Sequence, residues 1–176
     1  LSFQRATRAA EAVSLTTDGL QHFQDADMMH DALRADVLEA LLGARTGDAE
    51  KIREAGANLA EHSTRLREQV AFVRHLELDP AVVHELAALD EPIKGYIASA
   101  QQVISQTASD SAAAERLMPG FLAQFSELES SLGKGDDAIG GSARAAKDRS
   151  AATTAGFVRM LWIGTGLALA ALGTIS

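Results

Sequence analysis

Apolar and polar residues alternate by threes and fours along most of this chain, the spacing of amphipathic helices. The clearest seam reads Ile52, Ala55, Leu59, His62, Leu66, Gln69 or Val70, Val73, Leu76. A second runs Val82, Leu86, Leu89, Ile93, Ile97, Ile104, and a third Leu117, Phe121, Phe125, Leu128, Leu132, Ile139. The first segment carries two stripes: Leu15, Ala26, Met29, Leu33, Val37, Ala40, and Val13, Leu20, Phe23, Leu38. Asp27, His30, Asp31 and Arg34 interrupt the second stripe. A helix with two apolar sides is buried on two sides, which predicts one side in its own bundle and the other on a partner subunit.

Three breaks separate the helical segments. Thr46, Gly47, Asp48 forms a turn followed by an N-cap; Asp79, Pro80 closes one helix and opens the next; Ser109, Asp110, Ser111 is a third turn, with Pro119 downstream. The expected helices are residues 1–45, 48–78, 80–108 and 111 onward. Strand-like clusters of β-branched and aromatic residues are missing, so the chain reads as all-α. Short turns make consecutive helices antiparallel, giving an up-down-up-down four-helix bundle with two long outer and two shorter middle helices. Reflection about each turn places residue i of the first helix level with about residue 157 − i of the fourth.

The polarity changes abruptly near the C-terminus. From Phe157 to Ser176 the only charge is Arg159, and Trp162 sits where an interfacial anchor belongs. The expected division is a bundle over residues 1–156 and the start of a transmembrane helix over residues 157–176. Reflection brings residue 1 to the same level as about residue 156, so a first membrane span is expected immediately before Leu1. The bundle would then stand in the periplasm or outside the cell, anchored in the inner membrane. Gly133, Gly135, Gly140 and Gly141 weaken the fourth helix toward the membrane end, level with Ser14, Thr16, Thr17, Asp18 and Gly19.

Composition narrows the function classes. The chain of 176 residues is 47% hydrophobic and 5% aromatic, with three prolines, in keeping with helices. A net charge of −8 with both signs interspersed argues against a nucleic-acid partner. The absence of cysteine excludes thiol chemistry and Cys-based zinc sites. There is no nucleophile elbow, phosphate loop, dinucleotide fingerprint, Glu-x-x-His pair or His-Glu-x-x-His, so neither an enzyme nor a cofactor is expected.

The candidate chemistry lies on the first helix. Asp27, His30, Asp31 and Arg34 stand at i, i+3, i+4 and i+7, one face carrying acid, imidazole and guanidinium. Arg34 offers a fork for a carboxylate, and His30 a charge that varies near neutral pH. The height estimate puts His62 level with residues near 32, with Lys94, Tyr96 and Gln124 close by. The candidate ligand-binding set is therefore Asp27, His30, Asp31, Arg34, His62, Lys94 and Tyr96. A metal held by Asp27, His30, Asp31 and His62 is the alternative these residues admit.

The run Met29, His30, Asp31, Ala32, Leu33, Arg34, Ala35, Asp36, Val37 resembles helix 1 of the four-helix-bundle sensor domain of bacterial methyl-accepting chemotaxis proteins. Tyr96-Ile97, and Leu117, Met118, Pro119, Gly120, Phe121 with Phe125 and Leu128, extend the resemblance over most of residues 20–130. It implies a periplasmic domain between two membrane helices, acting as a homodimer. Such domains bind small attractants, often amino acids or organic acids, and relay the change through the fourth helix. Related receptors surround a ligand carboxylate with several helix 1 arginines. Here Arg34 has no second arginine one turn away, which admits a different anion, a metal ion or no direct ligand. The input domain of a sensor kinase or cyclase, or a dimerisation module sensing through a partner protein, shares the same architecture.

Overall fold

The first turn is built from its backbone outward. Gly47 adopts φ 71°, the left-handed conformation that L side chains resist, and the Asp48 amide donates to the Gly43 carbonyl at 2.8 Å. This motif ends α1 (Ser2–Thr46), and Asp48 then caps α2 (Ala49–Arg74) by accepting from the Lys51 amide at 3.0 Å. The computed structural model describes the backbone of residues 2–173, and side chains chiefly over residues 13–148.

Beyond α2 the chain forms α3 (Pro80–Ala87), α4 (Asp90–Thr107) and α5 (Ser111–Gly173). Asp79 caps α3 and Asp110 caps α5, each accepting a backbone amide two or three residues on. The single helix expected over residues 80–108 is two. Pro92 has no amide proton to offer the Ala88 carbonyl and sits in the first turn of α4, where a proline is tolerated. Arg74 pins the junction: Nη2 donates to the Leu86 carbonyl at 2.5 Å and Nη1 pairs with Asp90 at 2.6 Å. By contrast α5 continues unbroken through Pro119 and through the glycines at 133, 135, 140 and 141.

All described elements are helical, and α1, α2, α4 and α5 pack against one another. The contacts run in opposite senses between α1 and its neighbours. Arg45 pairs with Glu115 at 2.9 Å, His30 meets Phe125, and Phe23 meets Gly135. On the other side Glu39 pairs with Lys51 at 3.3 Å, Asp36 with His62 at 2.8 Å, and His22 with Gln69 at 2.5 Å. The register of α1 on α5 follows turn reflection to within about one helical turn.

The core gathers Phe23, Ala26, Leu33 and Val37 of α1 with Leu59, Leu66, Val70 and Val73 of α2. Tyr96, Ile97 and Val103 of α4 and Phe121, Phe125, Leu128 and Leu132 of α5 complete it. Each fully buried Leu or Phe contributes roughly 1.5–3 kcal/mol relative to exposure. Two sequence expectations change here. The α2 seam passes through buried Ser63, not His62, which stands at its edge. The second α1 stripe divides: Phe23, like the His30 that interrupts the stripe, is buried in its own chain because α1 lies between α2 and α5, whereas Leu38 is half exposed.

The apolar run 157–176 falls outside the side chains described. Among the described residues no helix is long and apolar enough to cross a membrane.

Candidate functional site

The site is a meeting of three helices around His30. Its side chain is 2% exposed, and its ring stacks on Phe125 of α5 with centroids 4.1 Å apart and planes 12° apart. Nε2 lies 3.2 Å from the Phe125 carbonyl oxygen. A carbonyl only accepts, so Nε2 carries the proton. From α4, Tyr96 donates its hydroxyl to the His30 carbonyl at 2.9 Å and stacks on Phe121 at 5.3 Å. Both partners of this bond are buried, so losing the hydroxyl would leave an under-satisfied carbonyl.

Arg34 covers the cluster from outside. Its Cζ lies 4.3 Å from the Phe125 ring centroid, and Nη2 pairs with Asp31 at 3.2 Å. Both members of that ion pair are substantially exposed, and the pair is worth little by itself. The guanidinium fork is thus turned to an aromatic face and a neighbouring carboxylate within one helix.

One turn toward the N-terminus of α1, the seam between α1 and α5 opens into a cavity of about 360 Å³. Phe23, Gln24 and Asp27 line it from α1, and Glu129, Leu132, Gly133 and Asp136 from α5. Three carboxylates and no basic side chain face this space, over an apolar floor of Phe23 and Leu132. Partial burial raises the Asp27 carboxyl above its ordinary range; His30 pulls it down, while Asp31, Asp136 and Glu129 add to the rise. At His30 burial dominates and lowers the imidazole below its ordinary range, against the Phe125 carbonyl, Asp27, Asp31 and Glu129.

The residues singled out from sequence therefore divide. His30 and Tyr96 form the buried heart, Arg34 and Asp31 its outer cover, and Asp27 the link to the cavity. His62 is not brought to His30: its Nδ1–H donates to Asp36 Oδ2 at 2.8 Å, on the α1–α2 side. Asp36 is itself buried, and desolvation raises its carboxyl while His62 lowers it. Lys94 stands exposed on α4, 3.7 Å from Glu91. With His62 elsewhere, the four-residue metal set comes apart; among the described residues no group of three or more His, Asp or Glu is arranged to hold a metal.

Sequence reasoning passed over Gln24, Glu129 and Asp136, three of the seven residues of the cavity wall. The height relation could have found Glu129, which it places level with about residue 28, beside Asp27. No family model, curated protein or solved structure matches this chain.

Proposed function

We propose that this chain is the extramembrane input domain of a transmembrane receptor of the chemoreceptor kind. In this reading an up-down-up-down four-helix bundle takes a small ligand in the cavity between α1 and α5 and signals through α5. The observation that carries the reading is the continuity of α5. One helix leaves the distal turn at Ser111, supplies Phe125, Glu129 and Asp136 to the site, and continues toward the apolar run that begins at Phe157. Between Phe125 and Phe157 the rise is about 48 Å at 1.5 Å per residue, so a displacement at the cavity has a rigid path to the apolar run. That run supplies the membrane segment, and the bundle stands in the periplasm or outside the cell.

The lining supports a ligand class. Three carboxylates without a basic partner favour a small cation, above all an amine with an apolar portion for Phe23 and Leu132. An amino acid with a basic side chain fits the wall better than a simple organic acid. An exposed face of α1, apolar at Met28, Ala35, Leu38 and Leu42, supports a homodimer. Gln24, Met28, Asp31, Ala35, Leu38 and Leu42 alternate by three and four, and all are exposed, Met28, Leu38 and Leu42 by half or more.

A thermal-shift screen of the 176-residue chain against amines, basic and neutral amino acids, organic acids and divalent metals tests the reading. A cationic ligand raises the melting temperature, and Asp27→Asn with Glu129→Gln abolishes the rise. A set in which nothing binds overturns ligand sensing and favours a dimerisation module working through a partner protein, with the exposed α1 face as its contact.

A further inference from the structure

We propose that His30 is a proton-operated release for the seam between α1 and α5. The inference needs no ligand and stands apart from the receptor reading. Its basis is where the ring sits and what lies next to it.

Uncharged, the ring closes the seam twice. Its face lies on Phe125 and its Nε2–H reaches the Phe125 carbonyl, so one side chain of α1 holds both the ring and the backbone of one α5 residue. Tyr96 packs beside it with ring centroids 5.0 Å apart and grips the His30 carbonyl from α4. A second proton puts a full charge into a pocket walled by aromatic rings, at a side chain only 2% exposed. Unpaired charge in such surroundings is costly, and the protein relieves it by giving up the proton or by moving the ring.

The structure holds a destination for that movement. The charged groups that act on His30 among the described residues are Asp27 and Asp31 from α1 and Glu129 from α5. Arg34 lies over the Phe125 ring, and the titratable group from α4 is the Tyr96 phenol. Asp27 and Glu129 belong to the wall of the acidic cavity one turn away, together with Asp136. An imidazolium that swings toward them exchanges an apolar slot for carboxylates, leaving Phe125 without its stack and without its bond from α1. Acidification thus loosens α1 from α5 at the height of Tyr96. Burial holds the ring's affinity for a proton low, so the closed form is complete above the ordinary imidazole range and is lost as the pH falls below it.

The chain carries a built-in reporter, since Tyr96 is its only tyrosine. With the tyrosine ring and the five histidines isotopically labelled, the 176-residue chain is titrated by NMR from roughly pH 8 to pH 5, across the imidazole range. The Tyr96 ring signal is expected to shift with the midpoint of His30, and that midpoint to lie below the ordinary imidazole range. His30→Gln removes the Tyr96 transition and His62→Gln leaves it. Asp27→Asn with Glu129→Gln, which spares the aromatic cluster, lowers the midpoint further because the carboxylates that favour the charged ring are gone. A Tyr96 signal that follows His62, stays constant while His30 titrates, or keeps its midpoint in the carboxylate double variant overturns the proposal.

Discussion

Phe23 lays its ring against the backbone of Gly135, and this contact sets how closely α1 and α5 approach beside the cavity. A Cβ at position 135 would lie 3.1 and 3.2 Å from Cε1 and Cε2 of Phe23, and nearer still to Cζ. Phe23 is buried in the core, and its ring could yield only by tilting into the acidic cavity whose floor it forms. Gly135→Ala is therefore expected to destabilise the chain by about 1–3 kcal/mol, overcoming the roughly 1 kcal/mol that alanine gains in a helix. Gly133 has open space where its Cβ would stand, so Gly133→Ala should stabilise by up to about 1 kcal/mol. Denaturant unfolding of the two variants side by side checks the contrast, and equal effects would mean the Phe23 contact does not limit the approach.

Tyr96 gives a prediction at alkaline pH. Burial pushes its hydroxyl well above the ordinary phenol range, with Arg34 pulling the other way and Asp31 and Asp36 adding to the rise. The folded state holds this proton more tightly than the unfolded chain. Its contribution to stability is complete below about pH 10 and falls as the pH rises further. Absorbance titration of the single tyrosine should show no phenolate until the helices melt, the two changes coinciding. Tyr96→Phe removes the bond to the His30 carbonyl and should cost about 0.5–1.5 kcal/mol at neutral pH, while also abolishing the alkaline loss.

These two residues show how far the sequence carried. The turns were legible because Asp48, Asp79 and Asp110 are helix caps and Gly47 follows the last periodic residue of α1. The break between α3 and α4 was hidden because Leu86, Leu89 and Ile93 keep the three-four spacing straight across it, and all three are buried. Pro92 was the signal available, since it denies a hydrogen bond to the carbonyl four residues back. The polar face of Asp27, His30, Asp31 and Arg34 was read as one unit, yet the edge of the core cuts through it. His30 falls inside, Asp27 and Asp31 outside. Spacing ranks residues around a helix, but the rotation of that helix in the bundle depends on what its neighbours can accommodate. The same uncertainty of one position put His62 in the α2 seam where small Ser63 is found. His30, Tyr96, Phe121 and Phe125 come from three helices and meet in one cluster, a convergence that no single helix's spacing displays.

Asp36 and His62 supply a test of a buried charge. The Asp36 side chain is 5% exposed and His62 is its hydrogen-bond partner, while His62 keeps 28% of its surface. His62→Ala leaves a buried carboxylate unpaired and should cost about 1–3 kcal/mol. Asp36→Asn keeps a hydrogen-bonding group of the same shape but removes the charge, so its cost should be well below that of His62→Ala. The Asp36 carboxyl is raised by burial, so its ionisation works against the fold as the pH climbs through its folded range, and Asp36→Asn should flatten that part of the stability profile. Chemical unfolding across acidic pH measures both variants, and a larger loss for Asp36→Asn would show that the charge itself stabilises.

The exposed face of α1 separates self-association from folding. Leu38 and Leu42 are about half exposed and border a second cavity with Leu41, Arg45, Glu115 and Met118. Substituting two solvent-facing leucines removes little from the core of one chain, so Leu38→Glu with Leu42→Lys should change monomer stability by no more than about 0.5 kcal/mol per site. If the face joins two copies, the same double variant shifts sedimentation from dimer to monomer. A wild-type chain that sediments as a monomer at every concentration would remove the homodimer from the proposed function.

Pro119 tests whether α5 acts as a rod. It lies inside the helix, where its ring lacks the amide that would bond the Glu115 carbonyl, yet the helix runs on to the site at Phe121 and Phe125. Tertiary contacts help to hold the segment helical, among them the pair between Arg45 and Glu115 and the burial of Phe121. Pro119→Ala restores the missing bond at an exposed position and should raise stability by about 1–3 kcal/mol. The denaturant midpoint is expected to rise with an unchanged slope, since the same surface is exposed on unfolding. A stiffer distal end should also couple α5 more tightly to the cluster it feeds, so the Tyr96 resonance should sharpen in this variant. If stability rises while the Tyr96 signal is unchanged from the parent chain, the distal turn and the His30 cluster move independently and α5 does not transmit between them.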